Sequence, residues 1–247
     1  MESLRIFIGW DSREDIAFQV CRQSILAHSS IPVQIIPIRQ RDMRNRGLYW
    51  RPPDSLSSTE FSFTRFLTPY LARFHGWAVF VDCDFLFRKD IVGLFDYRDS
   101  SKALYCVKHD YLPKETTKMD GKPQTLYPRK NWSSFMFVNC GHPQVRNLTP
   151  DVVNRESGLY LHRFNWVDDE AVGSLPVSWN YLEGWHTAAD CMDPIAVHFT
   201  RGGPWFEDYQ DVEYADEWRN IAEEITPVRD RRSTKSTFPF ASQHPRT

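Results

Sequence analysis

The sequence lacks any long run of apolar residues. The longest clean run, residues 77–81, covers about five positions, whereas a helix that crosses a bilayer needs roughly 20, so no transmembrane segment is predicted. A large net charge is also absent, since the formal value is −2 at pH 7. General binding to nucleic acid therefore has no electrostatic support. The 11 Gly and 16 Pro follow no period, which excludes collagen-like and low-complexity classes.

Cys-x-x-Cys pairs are missing as well, so neither a zinc site nor a thioredoxin-type motif is predicted. Each cysteine stands among apolar residues, which is typical of a buried free thiol. The odd number of cysteines and the absence of a recognisable secretory segment favour a reducing, cytoplasmic compartment. The five cysteines are Cys21, Cys83, Cys106, Cys140 and Cys191.

The composition is that of a folded globular protein, with 41% hydrophobic and 25% charged residues. The length of 247 residues favours one domain of the larger α/β kind, over residues 1–225. Residues 226–247 hold five basic side chains and one acidic side chain, without apolar periodicity, which predicts a polar and partly disordered tail. A solvated terminus is the simpler interpretation, and weak association with an anionic membrane surface is the alternative.

The opening of the chain alternates strand and helix patterns. Residues 4–8 form an apolar strand pattern, an apolar helical stripe follows from Ile16, and residues 33–38 form a second strand pattern. This βαβ order predicts a mostly parallel sheet with helices on both faces. Further strands are predicted at 77–81, 104–107, 134–138 and 196–199, a closing helix at 215–225, and long loops at 39–57 and 109–130.

Two carboxylates follow the apolar run at 77–81. Asp82 and Asp84 are two positions apart, and in extended chain such positions face the same way. Two anions side by side are costly unless a cation lies between them, and Mg²⁺ or Mn²⁺ would relieve the repulsion. Ligands of open parallel sheets also bind where the strands end. A solvent-exposed turn or helix cap is the alternative interpretation of this Asp-x-Asp pattern.

A second pattern lies downstream, where His198 stands in the apolar strand predicted at 196–199 and is followed by Gly202 and Gly203. Such a glycine loop can approach phosphates through backbone N–H groups. A neutral imidazole would complete a set of metal ligands with Asp82 and Asp84, and would favour Mn²⁺. A satisfied core histidine is the alternative.

With these motifs, the sequence resembles glycosyltransferase family 8, the glycogenin and bacterial lipopolysaccharide galactosyltransferase type, over roughly residues 4–206. The resemblance implies a Rossmann-like GT-A fold. It implies metal ligation by Asp82, Asp84 and His198, and positions Asp168 and Asp169 near the reacting sugar. It also implies catalytic and donor contacts by Arg65. The other donor-binding residues that it implies are Ile8, Gly9, Trp10, Asp11, Cys83, Gly202 and Gly203.

The implied activity is a metal-dependent, retaining transfer of a hexose from a UDP-sugar, UDP-glucose or UDP-galactose, to a glycan, lipid-linked or protein acceptor. A covalent intermediate and same-face attack both remain open. The family usually has a lysine where Gly203 stands, so a weak or inactive nucleotide-sugar binding module is the first alternative. A haloacid-type phosphatase is disfavoured, because the bulky Phe85 and Leu86 stand where that motif has a small hydroxyl residue.

Overall fold

The computed structural model describes residues 3–52, 58–110 and 129–226, which form two β-sheets and the helices that cover them. The strands are β1 Leu4–Trp10, β2 Val33–Arg39, β3 Trp77–Val81, β4 Phe85–Phe87, β5 Leu104–Val107, β6 Phe135–Asn139, β7 Val172–Leu175, β8 Tyr181–Leu182 and β9 Ala196–His198. The helices are α1 Asp15–His28, α2 Gln40–Asn45, α3 Thr68–Leu71, α4 Pro150–Arg155, α5 Gly158–His162 and α6 Ala215–Ile225.

The large sheet has the strand order β2-β1-β3-β6-β5-β7. Only β6 runs against its neighbours β3 and β5, and the remaining pairs are parallel. The unit β1-α1-β2 at the start of the chain is the predicted βαβ motif, and the predicted α/β class with a mostly parallel sheet is confirmed. Because β1, β3 and β5 point the same way, their carboxyl ends meet at one edge of the sheet.

The small sheet has the order β4-β9-β8 and connects distant parts of the chain. β4 and β9 are antiparallel, with Phe85 opposite His198 and Leu86 opposite Val197. β4 begins only three residues after Asp82. The small sheet therefore brings a strand from the C-terminal part of the chain against the end of β3.

Burial of aromatic side chains holds the two sheets together. Phe80, Phe85 and Phe135 each expose at most 1% of their surface to solvent. Burial of such a side chain stabilises the fold by about 1.5–3 kcal/mol. A second apolar cluster joins Val20 of α1 to Trp218 of α6. The closing helix predicted at 215–225 is confirmed and covers the small sheet.

The prediction of an unbroken loop over residues 39–57 is wrong in its first part, where α2 forms. Gln, Arg and Met are good helix formers, Arg44 donates to Gln40 one turn earlier, and Met43 is buried. Because most of these residues are polar, the sequence pattern did not indicate this short amphipathic helix. Most of the second predicted loop, residues 111–128, and the tail 227–247 lie outside the described residues.

The thiols follow the sequence-based expectation with one difference. Four cysteines are buried and Cys191 is half-buried, and all five are free. Among the residues that the structure describes, no helix combines the length and the apolar character needed to cross a bilayer.

Gly9 at the carboxyl end of β1 gives the first testable prediction. A Cβ at Gly9 would overlap the ring of the buried Phe61. We expect Gly9→Ala to lower the free energy of unfolding by about 1–3 kcal/mol, the usual cost of overpacking, as measured by urea denaturation. Gly141→Ala is the matched control, because its nearest non-neighbouring heavy atom lies 3.7 Å from the added Cβ. Equal stability losses in the two variants would contradict the overlap.

Candidate metal and donor site

The end of β3 and the start of β4 place two carboxylates in one short loop. β3 ends at Val81, Asp82 and Asp84 follow, and β4 begins at Phe85. The apolar run that precedes Asp82 anchors the loop in the core, and the pairing of Phe85 with His198 brings the imidazole to the same point. Two neighbouring aspartates and a histidine that is far from them in sequence thus converge because of strand register.

One ligand atom from each of Asp82, Asp84 and His198 lies within 4.8 Å of the others. Asp84 Oδ2 is 3.3 Å from His198 Nε2. The other oxygen, Asp84 Oδ1, is buried and has no hydrogen-bond donor in the described part of the chain. Two carboxylates and an imidazole form a donor set that suits Mn²⁺ or Mg²⁺. The structure therefore brings together the three residues that the sequence singles out as metal ligands.

Arg65 holds the first carboxylate. Its Nη1 lies 2.9 Å from Asp82 Oδ1 and donates to the Ser133 carbonyl at 3.0 Å. The guanidinium is buried and lies near the rings of Phe61 and Phe80. Burial raises the pKa of Asp82 to about 7, although Arg65 opposes the rise. In this structure Arg65 is bound to a metal-ligand candidate, and its expected contact with the donor stays a prediction.

The segment after β1 lies beside this cluster, because Ile8 pairs with Val81 in parallel register. Gly9 is covered by Phe61. The half-buried Trp10 donates its indole N–H to Asp15 at 2.7 Å. The predicted donor-binding segment therefore leaves the sheet at the same edge as the two aspartates.

Asp11 has a structural role in this segment. It is fully buried, and its carboxylate accepts from the backbone and guanidinium of Arg13 and from the backbone N–H of Glu60. Burial alone would raise the pKa of Asp11, but the hydrogen bonds from Arg13 lower it overall. The side chain thus links the loop after β1 to the segment at 58–60.

The remaining donor-binding candidates occupy two loops. Cys83 is buried between the aspartates. Gly202 has φ +130° and donates its N–H to the Phe199 carbonyl just after β9. At Gly203, a Cβ would overlap the ring of Trp205. The glycine loop follows directly from the strand that carries the candidate ligand His198.

Asp168 and Asp169 are not part of the cluster. Both are exposed, Asp168 bonded to Gln144 and Asp169 to Arg129. They precede β7, whose start pairs with the start of β5. Because β3, β5 and β7 are parallel, Asp168 lies at the edge where these strands begin, whereas Asp82 follows the end of β3.

Sequence reasoning missed several polar residues at the site. Asn180 is fully buried next to His198. Glu14 is almost fully buried, and burial, with Asp84 and Asp11 as further causes, raises its pKa to about 8. Each belongs to a stretch whose pattern is ordinary for a loop or helix start, so no local signal distinguishes it.

His109 is another such residue. It follows β5 and is 8% exposed, and neither ring nitrogen has a hydrogen-bond partner among the described residues. Its ring centroid lies 5.4 Å from that of His186. Burial lowers the pKa of His109 to about 3, with His186 and His198 as smaller causes. The imidazole is therefore neutral at physiological pH.

Comparison with known sequences decides the family. No family model matches the sequence. Protein CDI of Arabidopsis thaliana, however, is 57% identical over 223 residues, which are 89% of this chain and 86% of that protein. The chain belongs to the Protein CDI family. The match covers most of both chains, so the family shares the architecture described above.

Solved glycosyltransferases show what fold this member of the Protein CDI family has. The bifunctional glycosyltransferase WbbM matches with a TM-score of 0.65 at 15% identity, over 89% of this chain and 49% of WbbM. GlyE of Streptococcus pneumoniae matches with a TM-score of 0.60 at 14% identity, over 98% of this chain and 66% of GlyE. Galactosyltransferase LgtC, solved with donor and acceptor sugar analogs, matches with a TM-score of 0.58 at 12% identity, over 93% of this chain and 99% of LgtC. The chain, which spans about half of WbbM, has the GT-A fold.

The buried imidazole of His109 predicts a pH dependence of stability. An unfolded histidine titrates near about 6.5, whereas the folded pKa of His109 is about 3. Below pH 6.5 the unfolded chain binds a proton that the folded protein does not, so the free energy of unfolding falls as the pH falls. We expect His109→Gln to reduce the stability lost between pH 7 and pH 5 by about 2 kcal/mol.

Urea denaturation at the two pH values measures this difference. The exposed His75 gives the control variant His75→Gln, for which we expect the wild-type pH dependence. A His109→Gln protein that loses as much stability as wild type between pH 7 and pH 5 would show that His109 does not resist protonation in the fold.

Proposed function

We propose that the chain is a metal-dependent glycosyltransferase that moves a hexose from a UDP-sugar to an acceptor with retention of configuration. The observation that carries the proposal is the Asp82–Asp84–His198 cluster, placed where a parallel strand of a GT-A sheet ends. UDP-glucose and UDP-galactose are the proposed donors. A glycan, a lipid-linked sugar or a protein is the proposed acceptor class.

The three side chains would hold Mn²⁺ or Mg²⁺. The buried Asp84 Oδ1, which accepts from no donor in the described ranges, supports this, because a buried carboxylate oxygen is costly unless a cation or N–H group compensates it. A divalent cation there would offset the negative charge that develops on the nucleoside diphosphate leaving group. His198 adds a neutral ligand, so the site does not gain a third anion.

Arg65 contributes a positioning role. Its buried guanidinium is bonded to Asp82 and to the Ser133 carbonyl, which fixes the direction of the carboxylate. We expect the positive charge of Arg65 to favour binding of a diphosphate near Asp82, because a guanidinium in a poorly solvated site attracts nearby anionic oxygens strongly.

The nucleoside part of the donor is proposed to bind along residues 8–11. The ring of Trp10 and the backbone of this segment are the groups available for it, because the Asp11 carboxylate already accepts hydrogen bonds from Arg13 and Glu60. The backbone of Cys83 and of the Gly202–Gly203 loop would approach the phosphates. Asp168 receives no role at the reacting sugar in this proposal, because it lies at the edge where β7 begins and is bonded to Gln144. Asp169, which is bonded to Arg129, stays a proposed contact of the reacting sugar.

A binding protein without transferase activity is the second candidate, and Gly203 is the observation that favours it. The resemblance to family 8 leads us to expect a phosphate-binding lysine at this position, whereas the ring of Trp205 fills the space that its Cβ would need. Donor binding without transfer would then be the activity of the chain.

Release of UDP from a panel of UDP-sugars tests the proposal, with Mn²⁺, with Mg²⁺ and with EDTA. We expect release from UDP-glucose or UDP-galactose that needs the metal, because slow transfer to water replaces the missing acceptor. Asp84→Asn should lower the rate by about 100-fold or more, a typical effect of losing one preorganised electrostatic group. Asp216→Asn, at an exposed position on α6, should match wild type.

The other outcomes separate the candidates. UDP binding without release from any donor, with or without glycan acceptors, would favour the binding protein. If UDP does not bind at all, or if EDTA and Asp84→Asn leave release unchanged, the proposed metal-dependent transfer is wrong.

A further inference from the structure

A chain of buried hydrogen bonds leads from a backbone carbonyl to the ring of His198. Ser134 Oγ donates to the Asn131 carbonyl at 2.6 Å. Asn180 Nδ2 donates to Ser134 Oγ at 2.9 Å, and Asn180 Oδ1 lies 3.0 Å from His198 Nδ1. Asn180, Ser134 and His198 are each at least 98% buried. Solvent therefore does not compete for these bonds.

The polarity of this chain follows from its first member. A backbone carbonyl only accepts hydrogen bonds, and a serine hydroxyl has one proton. The Ser134 proton is therefore committed to Asn131, so the Asn180 atom that faces Ser134 must be a donor, the amide nitrogen. Asn180 Nδ2 also reaches the Asn131 carbonyl at 3.4 Å, which agrees with this orientation. The amide oxygen then faces His198.

This orientation selects one tautomer of His198. The amide oxygen of Asn180 only accepts, so His198 Nδ1 must carry the proton. In a neutral imidazole the other nitrogen then has the lone pair, and that nitrogen, Nε2, is the one 3.3 Å from Asp84 Oδ2. Ser134 Oγ is 3.5 Å from Nδ1 and has no second proton to offer. With Nδ1–H donated to Asn180, Nε2 is the nitrogen left to face the two carboxylates and any cation between them.

Two further features hold the arrangement still. Asn131 has φ 65°, a left-handed conformation that asparagine tolerates, and this conformation sets the direction of its carbonyl. The ring of Phe85 stacks on His198 with centroids 4.3 Å apart and planes 17° apart. The imidazole can therefore neither turn over nor tilt without losing a buried contact.

We propose that Asn180 is a positioning residue that fixes His198 in the Nδ1–H tautomer, so that Nε2 is preset to bind a divalent cation with Asp82 and Asp84. Metal-binding histidines are commonly oriented by an acceptor on the second ring nitrogen, and loss of such an acceptor typically costs about 10–100-fold in metal affinity. Because this inference rests on the proposed metal site, its test needs a readout that is independent of metal and of turnover.

The tautomer in the metal-free protein is that readout. Nitrogen-15 NMR of the imidazoles at about pH 8.5, where histidines are ordinarily neutral, distinguishes the two tautomers, and a His198→Gln spectrum assigns the signals. We expect pure Nδ1–H in wild type and a mixture in Asn180→Ala. Asn180→Asp keeps an acceptor at Nδ1 and should restore the pure tautomer. If Asn180 only supported the fold, the tautomer would not depend on an acceptor at this position.

Mn²⁺ affinity, measured by calorimetry, is the second readout. We expect Asn180→Ala to bind Mn²⁺ about 10–100-fold more weakly and Asn180→Asp to bind it within a few-fold of wild type. Asn139→Ala is the matched control, because Asn139 also bonds a backbone carbonyl but lies at the far end of β6. It should leave the tautomer and the affinity unchanged.

The proposal is overturned if wild-type His198 is Nε2–H, or if folded Asn180→Ala keeps the pure Nδ1–H tautomer. Equal loss of Mn²⁺ affinity in Asn180→Asp and Asn180→Ala would also overturn it. Should Asn180→Ala fail to fold, wild type and Asn180→Asp still decide, because an Nε2–H ring in either protein contradicts the hydrogen-bond chain. Wild type that shows the Nδ1–H tautomer but binds no divalent cation refutes the proposed function and leaves the Asn180–His198 pairing standing.

Discussion

The repulsion between Asp82 and Asp84 is the constraint on which the rest of the site depends. The two carboxylates stand two positions apart in a loop that the core holds out of water, and the pKa of Asp82 rises to about 7 even with Arg65 beside it. Negative charge in such a place needs compensation. The surrounding structure supplies one cation in Arg65 and an imidazole in His198, and no described residue donates a hydrogen bond to the buried Asp84 Oδ1. This is the electrostatic profile of a site for a divalent cation.

The two serines before β6 connect the parts of this site. The Ser133 carbonyl accepts from Arg65, and the Ser134 carbonyl accepts from the backbone N–H of Asp82. The Ser134 hydroxyl supports Asn180 and, through it, His198. One short turn thus sets the position of an aspartate, of its counter-ion and of the imidazole. The candidate metal site is therefore more than two loop aspartates and a strand histidine, because a common backbone segment fixes their relative geometry.

The sequence was sufficient to predict the parts of the fold and site that have a local pattern. The apolar run before Asp82, the βαβ opening and the glycines after His198 each leave a readable signature, and the α/β sheet with the three ligand candidates followed from them. Asn180 could not be found this way, because its role depends on the register of the small sheet. Asp168 illustrates the same limit, since its distance from Asp82 is set by the direction of β7, which motif spacing does not contain.

The glycine at 203 can be explained by packing without any loss of function. Trp205 meets Phe199 edge-on at 5.9 Å and lies 5.4 Å from Trp218 of the closing helix, so its ring is held by the small-sheet core. A side chain at 203 would have to displace that ring. The loop after His198 is therefore shaped by an aromatic cluster in a way that admits only glycine there. A cationic side chain for a diphosphate would have to come from elsewhere, and the buried Arg65 beside Asp82 already places one positive charge at this edge of the sheet.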